Sequence, residues 1–191
     1  MMPPKAKFTK EQIMEAALQL VRQNGGDALT ARALGDKLGS SARPIFTVFQ
    51  SMEEVRQAVE TAARRLYDGY VAAGLEQTGM PAFKGVGMQY IRFARSEPKL
   101  FQLLFMTEQV RKPDVMEVLP VIDDNYLQIL ASIRNCYPLN QEDSEWLYRH
   151  LWIYTHGIAV LCATGLCAFT EEEIGRMLTE VFTALLKEVR K

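Results

Sequence analysis

Histidine and cysteine are scarce in this chain: two histidines, His150 and His156, and three cysteines, Cys136, Cys162 and Cys167, in 191 residues. The histidines stand six positions apart, so on a helix they leave different faces and cannot act as a metal pair. The cysteines are odd in number and lack zinc-site spacing. Cys162 and Cys167, five apart, fall on different helical faces, and the expectation is small buried apolar side chains in a reducing compartment. No segment alternates apolar and polar residues as a strand does, and no Asn-Gly turn joins two such segments. A glycine-rich phosphate loop following a strand is therefore excluded. The longest strongly apolar run, Ile158 to Phe169, is too short and interrupted to span a membrane. The polar run Lys5 to Gln12 is no secretory leader, so the cytoplasm is the expected compartment. His150 beside Glu145 or Asp143 is a poor acid–base set, and neither an enzyme nor a cofactor is expected.

Net charge is also small, −1 with a pI near 6.2, which argues against a protein that coats nucleic acid non-specifically. Its distribution is uneven. Residues 1–50 hold seven cations, among them Lys5, Lys7, Arg32, Lys37 and Arg43, against four acids, a net +3. The remainder carries −4, so phosphate attraction is concentrated at one end.

What the chain does have is helix signals. Thr9 and Gln12 form a capping box, Phe8 can staple onto Ile13, and Ile13, Ala16, Ala17, Leu20 and Val21 make one apolar face before Gly25-Gly26. Thr30 caps a second helix that stops at Gly39, and Ser41 starts a third to about Phe49. Ser51-Met-Glu-Glu54 is a second capping box, opening a helix to about Ala73. Further helices are expected over Ala82–Arg95, Lys99–Met106 and Asp114–Asn135, the last kinked or split by Pro120. Asn140 starts a long one to Ala163, and Thr170 caps the last.

The stretch Leu29 to Phe49, two short helices joined at a glycine, reads as a helix-turn-helix. Such a motif braces its first helix on the DNA backbone and presents the first turn of its second to base edges. That turn is Ser41-Ala42-Arg43-Pro44, with Ser41 as cap and Pro44 where a missing N–H sacrifices no bond. Arg43 can fork onto guanine O6 and N7, and Thr47 can reach a thymine methyl or a phosphate. Ile45, Val48 and Phe49 should face inward against Leu34 and Leu38.

The ordered set of a capped helix, Gly-Gly, L-T-x-R-x-L, L-G-S-S, I-F-x-x-F and S-M-E-E-V resembles the N-terminal domain of the TetR family of bacterial repressors, over about residues 8–60. W-I-Y-T-H-G-I-A and R-S-E-P-K-L-F-Q-L-L-F resemble segments of that family's C-terminal domains less strongly. The resemblance implies an all-α homodimer: a three-helix DNA-binding head, then a helical bundle that binds an inducer and dimerises. Thr30 and Arg32 match phosphate-contacting positions, and Ala42, Arg43, Pro44 and Thr47 the base-facing surface. Phe46 stands where the family usually has a phosphate-binding tyrosine, and Met52 where it usually has a lysine. Both departures imply weaker backbone contact, which Lys5 and Lys7 can offset.

The expectation is thus a head at 1–52, a connecting helix from about 51 to 73, and a ligand-binding and dimerisation domain at 53–191. Its partners would be a double-stranded palindromic operator, a second copy, and a small apolar or amphipathic effector. Met106, Tyr126, Trp152 and His156 are the candidate effector contacts; Trp152 and His156 share a helical face. Gly157, Ala159 and Ala163 with the last helix are the candidate dimer contact. The alternative is a helical dimeric interaction protein that has lost specific DNA binding.

Overall fold

The computed structural model describes residues 7–108, 119 and 125–190, which form eight α-helices and, among the described residues, no strand. The chain divides into two compact units, Met1–Leu66 with Lys99–Thr107, and Tyr67–Pro98 with Glu108–Lys191.

In the first unit, α1 (Lys10–Asn24) starts with the expected capping box. Thr9 Oγ1 accepts the Gln12 N–H at 3.2 Å, and Gln12 Oε1 accepts the Thr9 N–H at 2.9 Å. Ile13, Ala17, Leu20 and Val21 form its buried face. α2 (Ala31–Lys37) is capped by Thr30. α3 (Met52–Leu75) continues past the unit boundary, and α5 (Pro98–Phe105) returns to bury Leu100 and Phe101. The core between them holds Leu29, Leu34, Ile45, Phe49, Val55 and Val59. Each of these contributes about 1.5–3 kcal/mol through burial. The second box closes differently from expectation. Ser51 Oγ accepts the Glu54 N–H at 3.2 Å, but the Glu54 carboxylate takes the N–H of Gln50, at 2.7 Å. Lys10 Nζ lies 3.5 Å from the same carboxylate.

Ser41–Phe49 is not the expected α-helix. It is a turn around one 3₁₀ segment, Ile45–Thr47, held by i→i+3 bonds such as Ile45 N–H to Ala42 O at 3.1 Å. Ser41 caps nothing, and Pro44 occupies the capping position without a side-chain bond. The local chemistry explains this. Pro44 has no N–H, Ile45, Thr47 and Val48 are β-branched, and the Thr47 hydroxyl donates to the Pro44 carbonyl at 2.6 Å, leaving little to propagate an α-helix.

In the second unit, α4 (Ala82–Ser96), α6 (Tyr126–Cys136), α7 (Gln141–Ala163) and α8 (Glu171–Glu188) pack together, with α4 against the other three. Asn140 and Thr170 cap α7 and α8 as expected, the latter with a complete box. The end of α3 crosses the start of α4 backbone to backbone. A Cβ on Gly74 would lie 2.6 Å from the Val86 Cα, so only glycine fits there. Tyr67, Tyr70, Tyr90 and Phe93 interlock beside this crossing, with ring centroids 5.3–5.9 Å apart. Of the expected Asp114–Asn135 segment, residues 114–118 and 120–124, with Pro120, lie outside the described residues; from Tyr126 it is helical, in a helix that runs to Cys136.

The cysteines are not the buried set expected. Cys136 and Cys167 are exposed because they fall at a helix end and in the turn after α7, and Cys162 is half-buried. Ala159 and Ala163 also differ from expectation. They point into their own core, at 0 % and 6 % exposure, so Gly157 alone of the three small residues faces outward.

Candidate nucleic-acid interface and effector cavity

The first site follows from a tight turn. α2 ends at Lys37, and Gly39 adopts φ 64°, a left-handed value that a side chain would strain. The chain then folds back so closely that a Cβ on buried Gly35 would stand 3.0 Å from the Ala42 N and Ser40 O. Ser40 N–H bonds the Gly35 carbonyl at 2.9 Å, and Lys7 Nζ donates to Ser40 Oγ at 3.0 Å. Sequence reasoning took Gly39 as the turn glycine and missed Gly35, whose place one helical turn before Gly39 was the available signal.

Past this turn Ile45 and Phe49 are buried and Val48 is half-buried, while Ser41, Arg43, Phe46 and Thr47 are exposed. Ala42 and Pro44 are half-buried between them. Arg43 has no hydrogen bond or ion pair among the described residues, so its guanidinium is available to an outside acceptor. Arg32 is 93 % exposed and reaches Asp36 only at 4.0 Å, a pair too solvated to hold it. The Thr30 hydroxyl already accepts the Ala33 N–H at 3.2 Å, leaving its O–H to donate. Phe46 projects an apolar ring, 46 % exposed, from the same turn. Met52 is half-buried at the start of α3.

The second site is a cavity of about 320 Å³ inside the second unit. Its walls come from α4 (Phe83, Gly87, Tyr90), α7 (Tyr148, Leu151, Trp152) and α8 (Leu178, Phe182). Phe83, Tyr137 and Phe182 form a ring cluster at its edge, Phe83 and Phe182 being 4.6 Å apart. The α4 wall repeats at i, i+4, i+7 and the α8 wall at i, i+4, a signal present in the sequence but spread over distant helices.

Of the four expected effector contacts, Trp152 lines this cavity. His156 stands behind it, stacked on Trp152 at 4.8 Å and 12°, with Nδ1 2.9 Å from the Tyr90 hydroxyl. Burial lowers the His156 pKa below 6.5, so the ring is neutral at pH 7. Tyr126 also stands back, packed on the lining residue Tyr148 at 5.8 Å; burial raises its phenol pKa. Met106 does not join them. It is 42 % exposed after α5, within the first unit. His150 binds its own helix, Nδ1 to Trp146 O at 2.8 Å, and has no hydrogen bond or ion pair to a carboxylate among the described residues.

Residues 83–188, which build this bundle, match the family model described as tetracyclin repressor-like, C-terminal domain. The chain belongs to the TetR family. A curated relative is an uncharacterized HTH-type transcriptional regulator of Mycobacterium tuberculosis, 24% identical over 164 residues that cover 84% of this chain and 72% of the relative. A crystal structure assigned to a TetR-family transcriptional regulator from Mesorhizobium loti shares the fold, with a TM-score of 0.55 at 17% identity over 92% of this chain and 93% of that one. This TetR-family chain is accordingly a transcriptional regulator and not an enzyme. Among the described residues no helix is long and apolar enough to cross a membrane.

Proposed function

We propose that this TetR-family regulator is a ligand-responsive repressor that acts in the cytoplasm and binds a palindromic operator as a homodimer. Residues 1–52 serve as the DNA-binding head, and 53–191 as the effector-binding and dimerisation domain. The observation that carries the reading is the free Arg43 guanidinium on an exposed turn buttressed by buried Ile45 and Phe49. Arg43 reads a guanine, with Ala42, Pro44 and Thr47 packing beside it in the major groove. Ser41, Thr30 and Arg32 contact the flanking phosphates.

Dimerisation is assigned to the outward face of α7. Ile153, Gly157, Val160 and Thr164 recur there at helical spacing, and Ile153 is 48 % exposed. The cavity takes the effector, with Trp152 as a contact and His156 and Tyr126 as the residues that position the lining. An effector that favours one head spacing over another shifts the population away from the form that spans grooves about 34–36 Å apart.

Exposed Phe46 favours a second reading, a dimeric interaction protein, because an apolar ring there suits a protein partner better than a phosphate. Selection of genomic fragments followed by footprinting decides between them. The repressor reading expects two protected half-sites related by a dyad; recovery of fragments without a shared motif supports the interaction protein.

A further inference from the structure

The cavity has a sign. Among the described lining residues there is no aspartate or glutamate, and the one formal charge is Lys84, in the first turn of α4. Its Nζ donates to Thr179 Oγ1 at 2.7 Å and has no carboxylate partner among the described residues. Arg190 adds a second positive charge nearby, its guanidinium 5.6 Å from the ring of the lining residue Tyr137. The rest of the wall is mostly apolar and aromatic, with Phe83, Leu151, Trp152, Leu178, Phe182 and Leu186, and its polar groups are uncharged threonines and tyrosines. Lys84 and Thr179 meet at the solvent-exposed side of a largely apolar cavity, and a carboxylate beside the lysine there gains both Coulomb attraction and a charge-assisted hydrogen bond. A cationic ligand would meet repulsion at the same place. The volume lies at the small end for ligand sites, about 300–1,000 Å³, which suits a single alkyl or arylalkyl chain.

We infer that the cavity binds an amphipathic carboxylic acid, its carboxylate on Lys84 and Thr179 and its chain among Phe83, Leu178 and Phe182. This inference rests on the cavity being the effector site proposed above. Its new content is the chemical class of the effector and the residue that selects it.

Three probes of equal chain length test it: dodecanoate and dodecyltrimethylammonium below their micellar concentrations, and dodecanol below its solubility limit, all at pH 7. The chain has two tryptophans, so Trp146→Phe leaves Trp152 on the cavity wall as the sole fluorescent reporter. The expected result is dodecanoate binding about tenfold tighter than dodecanol, with the ammonium weakest. Adding Lys84→Met should bring acid and alcohol to equal affinity, and Lys84→Arg should restore the preference. Thermal melts confirm that the variants are folded. Equal binding of all three, or tightest binding of the ammonium, overturns the acid assignment and leaves the effector site standing. A preference for dodecanoate that survives Lys84→Met overturns the role of Lys84. Failure of all three probes to alter Trp152 emission, checked by calorimetry, overturns the assignment and the effector reading together.

Discussion

Arg43 and His156 show how burial sorts the functional side chains. Arg43 stands in solvent with no hydrogen bond or ion pair among the described residues, so its removal costs the fold little and takes away the proposed base contact. Arg43→Ala should therefore leave the melting temperature unchanged while lowering discrimination between operator and scrambled duplex by about 1–3 kcal/mol. Equal loss on both duplexes in competition titrations would instead make it a phosphate contact. His156 is the opposite case. Its imidazole is half-buried between Trp152 and Tyr90, and this desolvation holds its pKa below the ordinary 6.5. In the folded state the ring is neutral, whereas the unfolded chain takes up a proton more readily. The stability attached to the neutral ring is full above the unfolded pKa and is lost as pH falls through 6.5 toward the folded value. His156→Gln should flatten that dependence in denaturant titrations between pH 7.5 and pH 5. An unchanged slope would assign the pH dependence to other groups.

At the scale of elements, two close approaches decide where helices go. Gly35 lets the chain turn back on α2, and Gly74 lets the end of α3 meet the start of α4. Gly74→Ala inserts a methyl against backbone, which cannot rotate away, and is expected to cost about 1–3 kcal/mol in urea unfolding. A cost near zero would show that the crossing can slide. The helices themselves were largely legible in the sequence, because Thr9, Thr30, Asn140 and Thr170 are local devices: each cap hydroxyl or amide reaches an N–H three residues on. The turn at Ser41–Phe49 was not legible as a 3₁₀ segment. A capping serine and an apolar spacing describe a helix equally well until Pro44 and three β-branched residues are weighed together. Nor was the cavity wall. Trp152 and His156 are neighbours on one helix and could be paired by spacing, whereas Lys84, Tyr90 and Phe182 meet only through tertiary packing. The exposure of Met106 and the inward facing of Ala159 and Ala163 are tertiary facts of the same kind.

At the level of the whole molecule, the proposed repressor is completed by a second copy. α7 buries Leu147, Leu151, Thr155 and Ile158 on one side and leaves Ile153 and Gly157 on the other. Ile153→Glu places a charge in the proposed contact and should shift sedimentation from dimer to monomer at micromolar concentration, with little change in helicity. A variant that remains dimeric would move the interface elsewhere. Loss of the dimer should also weaken operator binding far more than binding to a half-site, since the two heads no longer act as one ligand.

The most direct measurement of the central claim is fluorescence anisotropy of the purified protein on DNA from upstream of its own gene, against a scrambled duplex, over a salt series. Tight binding to the first is expected, with weak binding to the second and a preference that persists as salt rises while both affinities fall. Equal binding to the two duplexes, lost together at moderate salt, would contradict sequence-specific recognition through Arg43 and its turn.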